Sequence, residues 1–323
     1  MLLASAFALT QLADSQGNYA LANGHWRAWL DVAGVELPFE FTLSGSAGAL
    51  SATLLNGSEA ILIPEVSATI AAGVRFGFPH YDSEILAQPG IEGSRLDGTW
   101  RKRRGPNTWT EIPFHASFSA APRFPVGSKD AANDASLWTG RWATRFEGAA
   151  DPAVGIFFAR TDGLAQGTFL TTLGDYRFLA GQIADEQLWL SAFDGAHAFL
   201  FRAAQQPDGS LLGDFWSGAT HHETWTAQRN ATATLPDPFL EVAPAASAPS
   251  FSALKYLDLE GVERALDDER FLGKVRVISL FGSWCPNCND EVRLWTELHA
   301  RYAERGVSFL SLGFEITGDA AHD

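Results

Sequence analysis

The chain contains two cysteines, and both fall in one tetrapeptide, Cys285-Pro286-Asn287-Cys288. Cysteines that staple a small fold are scattered along it, and a structural zinc site needs a second pair of ligands. Two thiols at this spacing therefore point to redox chemistry at one place. Cys285 would attack a target disulfide to give a mixed disulfide. Cys288, one helical turn on and read as the more buried, would then attack Cys285 and release the reduced target. Metal capture by Cys285, Cys288 and a histidine such as His299 is the weaker reading, because His299 lies three turns down the same helix.

Three elements must hold these thiols. Lys274 to Phe281 reads as a buried strand, and Gly282-Ser283-Trp284 leads from it into a helix from about Pro286 to Arg305. Val292, Trp295, Leu298 and Tyr302 recur at three- and four-residue spacing and form one apolar stripe. Gly306 supplies the stop, and Val307 to Phe314 reads as a second apolar strand. Strand, helix and strand with a crossover of ~20 residues make a right-handed βαβ unit with parallel strands. Pro286 suits the first helical position, where no amide hydrogen is needed. Cys285 then sits at a helix N-terminus, where unpaired amides favour an anion, so its thiol is expected to ionise more readily than a free cysteine.

The composition changes abruptly upstream. Pro236, Pro238, Pro244 and Pro249 alternate with alanines and mark residues 231–250 as an extended spacer. Before it, the chain repeats itself at an offset of 116 residues. Gly24-His25-Trp26 falls on Gly140-Arg141-Trp142, Leu96 with Trp100 on Leu212 with Trp216, and Thr108-Trp109-Thr110 on Thr224-Trp225-Thr226. Internal duplication is the plain reading, with copies at 24–118 and 138–230. The second copy parses into eight short aromatic and β-branched segments, separated by turn signals such as Asp162-Gly163, Asp194-Gly195 and Asp208-Gly209. The fold class expected is mainly β: tandem up-and-down antiparallel barrels or sandwiches, followed by a partial α/β unit over 251–323.

Within the duplicated region, His221-His222-Glu223 is the one cluster that looks like a ligand set. Neighbours on a strand face opposite ways, so at most one histidine and one acid could share an ion; a solvated strand end is favoured and no metal is expected. The run Arg101-Lys102-Arg103-Arg104 before Gly105-Pro106 reads as a solubilising hairpin tip. The paired tryptophans read as core or barrel plug rather than ligand cage.

The chain has 323 residues, enough for two or three domains. Hydrophobic residues make up 46% and charged residues 19%, a globular balance. The net charge of −15 repels phosphate backbones and anionic headgroups, which sets nucleic acid and polybasic membrane attachment aside. Leu2 to Leu9 is too short to span a bilayer but suits the apolar core of a secretory signal within residues 1–23, although no basic residue precedes it. An exported, extracytoplasmic protein is expected.

Residues 251–323 resemble the TlpA-type thiol–disulfide oxidoreductases, an extracytoplasmic branch of the thioredoxin-like proteins. The resemblance is carried by Gly273-Lys274-Val275, by Phe281-Gly282-Ser283-Trp284-Cys285-Pro286-Asn287-Cys288 and by Glu291. It implies a periplasmic protein that reduces protein disulfides through a redox-active Cys285–Cys288 disulfide and needs no other cofactor. An upstream thiol donor, such as a membrane-bound electron donor, would restore the dithiol. Trp284, Pro286 and Asn287 would shape the site. In thioredoxin a buried aspartate stands six residues before the first cysteine; here that position is Ser279, and the resemblance points to Glu315 as the candidate proton acceptor. The family's fold continues with a helix, a strand entered through a cis-proline loop, a hairpin partner and a last helix. This chain has no proline after Pro286, so a C-terminally truncated domain with weak turnover is expected. The competing expectation is a β-barrel ligand-binding or structural protein whose redox segment is inert, with a ligand inside one barrel.

Overall fold

The computed structural model describes residues 19–46, 48–90, 92–124, 135–237 and 249–315. The expected leader, most of the spacer and the last eight residues lie outside the described residues. The chain divides into two compact units, Met1–Pro236 and Asp237–Asp323. Among the described residues no helix is long and apolar enough to cross a membrane.

The described residues of the first unit are mainly β. Its first sheet comprises β1 (Gly24–Val32), β2 (Val35–Ser46), β3 (Ala49–Asn56), β4 (Glu59–Leu62), β5 (Glu65–Thr69), β6 (Gly73–Phe78), β7 (Ser83–Pro89), β8 (Arg95–Gly105) and β9 (Thr108–Phe118). The second comprises β10 (Gly140–Phe146), β11 (Ala153–Ala159), β12 (Leu164–Thr171), β13 (Gly174–Asp175), β14 (Leu179–Ala184), β15 (Gln187–Phe193), β16 (Ala198–Gln205), β17 (Leu211–Ser217) and β18 (His221–Arg229). Neighbouring strands are antiparallel throughout, because tight turns join strands that follow one another. The second sheet closes through β11 against β12 into an eight-stranded barrel, and the first stays open between β4 and β5. The mainly β architecture expected from the turn spacing is thus present, with one copy closed and the other a half-barrel.

The open copy fills its concave face with side chains from the closed one. Phe193, Ala198, Leu200 and Trp216 belong to the same apolar core as Trp26, Phe39, Phe76 and Phe114. Phe193 packs at a tilt 4.3 Å from Phe39 and meets Trp100 edge-on at 5.3 Å. Polar fasteners ring this contact. Asn56 donates to Phe193 O at 3.0 Å, Lys102 Nζ to Ala196 O at 2.9 Å, and Ser83 Oγ to Gly195 O.

The duplication is visible atom by atom at the start of each copy. Gly24 and Gly140 have φ of 127° and 135°, and Trp26 and Trp142 each donate their indole N–H to the carbonyl four residues back, at 2.9 and 3.2 Å. The constant offset of 116 does not persist to the ends. Trp26 lies opposite Phe118, whereas Trp142 lies opposite Arg229, so the counterpart of Trp225 is Phe114 rather than Trp109. Phe114 pairs with Gly98 and Trp225 with Gly213, which makes Leu96 correspond to Leu211 and Trp100 to Phe215. Burial agrees: Trp109 is 38% exposed and Leu212 49%, while Phe114, Leu211 and Phe215 are core. A slip of one residue in a strand moves every side chain to the other face, so a match of letters at fixed spacing misplaced the later tryptophans.

The second unit carries a short hairpin, β19 (Lys255–Leu257) and β20 (Glu263–Ala265), then β21 (Val275–Phe281), the helix α1 (Pro286–Tyr302) and β22 (Val307–Gly313). β21 and β22 pair in parallel with Val277 opposite Phe309. Gly306, with φ of 82°, turns the chain after α1, as its lack of a Cβ permits. Trp295 and His299 of α1 lie 5.4 and 5.9 Å from the Phe309 ring. The apolar stripe is only partly covered: Trp295, Leu298 and Tyr302 are half-buried and Val292 is exposed.

Candidate functional site: a dithiol at a helix N-terminus

β21 and β22 end side by side and α1 starts above them, so the chain between Phe281 and Pro286 has to turn sharply. Gly282 permits the turn: a Cβ there would stand 2.5 Å from the Trp284 indole nitrogen. Cys285 is the N-cap of α1, with Pro286 buried at the first helical position. Its sulfur accepts the Cys288 amide at 3.4 Å, as a cap oxygen would. The Cys288 thiol donates to Cys285 Sγ at 2.7 Å; both cysteines are free and both are half-buried. Cys288 is thus not set apart from Cys285 by depth.

The loop is fastened from both ends. Glu315, just past β22, accepts the Ser283 amide at 2.9 Å and the Ser283 hydroxyl at 2.7 Å. The Trp284 indole donates to Phe314 O at 2.8 Å. From α1, the Asn289 side chain donates to Ser283 O at 2.8 Å and to Cys285 O at 3.1 Å. Glu315, Trp284, Pro286 and both cysteines therefore fall in one place, and Asn287 is exposed on the first turn. Ser283 and Asn289 were missed in the sequence. Their signal was positional, since each lies within two residues of a cysteine or beside one, and their roles depend on where the carbonyls point.

The thiol was expected to be unusually acidic, and the surroundings push it the other way. Burial, then the Cys288 thiol against it, drive Cys285 above the ordinary cysteine range, and the amides of Cys288 and Asn287 only partly offset this. The helix N-terminus is real, but the sulfur is half-covered and shares its cap with a second thiol. His299 lies against Phe309, and among the described residues no group of three His, Cys, Asp or Glu could hold a metal.

The other features singled out in the sequence resolve differently. The basic run is structural rather than a solvated tip: Lys102 is buried, Arg101 pairs with Glu84, and Arg103 faces Asp82 at 4.0 Å. Trp26, Trp142 and Trp225 are wholly buried. The closed barrel has no room for a central ligand, because Phe157, Phe169, Phe201 and Phe215 fill it at ring separations of 5.2, 4.6 and 4.4 Å along the series. His221 and His222 point to opposite faces, the former bonded to Glu223 at 2.9 Å and the latter to Asp214 at 3.0 Å.

No family model matches the chain. Over 60 residues it is 37% identical to the thiol-disulfide oxidoreductase ResA of Bacillus thuringiensis subsp. konkukian, which is 19% of this chain and 34% of that protein. The ResA of Bacillus anthracis is 35% identical over 60 residues, with the same coverage. The chain thus spans about a third of the length of these curated relatives. Among solved structures, a DUF3598-family protein of unknown function from Nostoc punctiforme covers 64% of this chain and 94% of its own at 11% identity and a TM-score of 0.21. A putative outer membrane protein from Bacteroides fragilis covers 68% and 97% at 8% identity and a TM-score of 0.21. At that score neither structure bears on the reading. What the chain shares with known proteins is a short stretch similar to thioredoxin-like thiol–disulfide oxidoreductases.

Proposed function

We propose that the protein is a thiol–disulfide oxidoreductase of the TlpA type that reduces disulfides of exported proteins. The observation that carries this is the free dithiol at the start of α1, with two sulfurs 2.7 Å apart and the loop that bears them fastened by Glu315, Trp284 and Asn289. The Cys285 thiolate attacks one sulfur of the target disulfide, and the other sulfur leaves as a thiolate and takes a proton. Cys288 then loses its proton and attacks Cys285 Sγ. The target's second sulfur departs, and the protein is left as the Cys285–Cys288 disulfide. Two electrons pass to the target, and a thiol donor returns them. Glu315, which holds the amide and hydroxyl of Ser283 two residues before Cys285, is the proposed proton acceptor. A membrane-bound donor and an extracytoplasmic location belong to the same reading, with no further cofactor and no nucleic acid.

Trapping tests it. A Cys288→Ser variant cannot resolve the mixed disulfide, so it should accumulate a covalent adduct with a disulfide-bonded protein such as insulin, released by dithiothreitol. Equal labelling of the native protein and a Cys285→Ser variant would overturn the reading. A Glu315→Gln variant should shift the pH profile of thiol alkylation, and an unchanged profile removes Glu315 from the proton path.

A further inference from the structure

The interior-facing row of β18 begins with two polar residues. Along this strand His221, Glu223, Trp225 and Ala227 share a face, and Trp225 and Ala227 belong to the barrel core. Alternation therefore turns His221 and Glu223 inward at one mouth of the barrel, where the His221 ring meets Phe215 at 5.6 Å. Tyr176, between β13 and β14, folds over the same mouth and contacts Phe146, Phe199 and Phe215 at 5.8, 5.1 and 5.1 Å.

A cavity of about 310 Å³ opens at this mouth. Its walls include Phe146, Asp151, Thr172, Leu173, Tyr176 and Glu223, and none of the residues lining it is basic. The Glu223 carboxylate is fixed before any ligand arrives: the Gly148 amide donates to one oxygen at 2.9 Å, and His221 Nε2 lies 2.9 Å from the other. Asp151 is held by the Thr172 hydroxyl at 2.8 Å. Burial and the Glu223 charge push the Tyr176 phenol up to about 12, so it stays neutral. The site thus offers a positioned carboxylate whose ion-pair partner is His221, a second carboxylate and two aromatic rings.

We infer that the barrel mouth binds a small organic ammonium ion with an apolar body, its charge against Glu223 and its carbon shell against Phe146 and Tyr176. Fixed anions and aromatic faces both select a cation over its neutral isostere. The inference concerns the barrel alone and does not depend on the dithiol chemistry.

The full chain would be titrated by calorimetry and by ligand-observed NMR with choline and with 3,3-dimethyl-1-butanol, its uncharged isostere. Choline is expected to bind saturably and about 10-fold or more tightly than the alcohol, as one charge-assisted contact would give. Glu223→Gln keeps the shape of the side chain and should abolish most of that preference, and Asp151→Asn at the exposed rim should weaken choline several-fold without touching the fold. Equal affinity for the two probes, no saturable binding by either, or undiminished choline affinity in a folded Asp151→Asn and Glu223→Gln pair would overturn the inference.

Discussion

At the scale of single residues the site is defined by what each atom already holds. Because the Cys288 thiol is one of the groups that push Cys285 up, its removal should act in the opposite direction. In native protein the alkylation rate of Cys285 should reach half its maximum above the ordinary thiol value of ~8.5, and Cys288→Ala should move that midpoint down. Iodoacetamide labelling followed by mass spectrometry against pH measures both, and a midpoint that rises in the variant would contradict the geometry. Gly282 makes a second prediction. Any Cβ there meets the Trp284 indole, so Gly282→Ala should cost about 1–3 kcal/mol by forcing the ring off Phe314 O. The shift of one indole N–H resonance and a lower melting temperature would report it. Asn289→Ala removes two hydrogen bonds from the loop, each worth about 1 kcal/mol. Faster amide exchange of Ser283 and Cys285 in that variant is the expected result.

At the scale of elements, the β15–β16 turn is the piece on which the two β modules depend. Asp194, within it, is 3% exposed and receives the amides of Ala196 and His197 at 2.8 and 2.6 Å. Burial by itself would raise its carboxyl, but His197 and Arg177 outweigh it and hold it below the ordinary aspartate range. A depressed native pKa stabilises the fold above the unfolded value of ~3.9, and the stabilisation is lost as pH falls through the lower native value. Acid should therefore loosen this turn, and tryptophan fluorescence between pH 5 and pH 2 would follow it (about the range in which such carboxylates protonate). Asp194→Ala leaves the Ala196 and His197 amides without their acceptor, while Arg177 keeps Glu59, and should destabilise the first unit by about 2–4 kcal/mol in urea unfolding. A loss below ~1 kcal/mol would show that the turn is held by Phe193 packing alone.

At the scale of the whole molecule the two copies of the repeat are not equivalent. The closed barrel carries a core of its own, whereas the half-barrel completes its core with Phe193, Ala198, Leu200 and Trp216 of the other copy. Expressed alone, residues 135–236 should fold cooperatively, and residues 19–124 should remain poorly packed, with weak near-ultraviolet circular dichroism. Independent folding of the first copy would mean that its open sheet finds another closure. The second unit is thinly covered: Leu280, Leu272 and Phe314 are largely exposed on or beside its two-stranded sheet.

Much of this was legible in the chain itself, because local chemistry forces it. A Cys-x-x-Cys step between an apolar strand and an amphipathic helix can hardly lie anywhere but at the helix N-terminus, and turn signals at short intervals leave antiparallel strands as the available arrangement. The alternation that puts Trp142, Phe146 and Trp225 inward is likewise a property of each strand taken by itself. Register is not local. Which residue of β9 lies opposite Trp26, and whether Lys102 ends in water or on Ala196, depend on hydrogen bonds between segments some ninety residues apart. The acidity of Cys285 follows the same rule: the helix start was readable in the sequence, but burial and the distance to Cys288, which set the direction of the shift, exist only after the chain has packed.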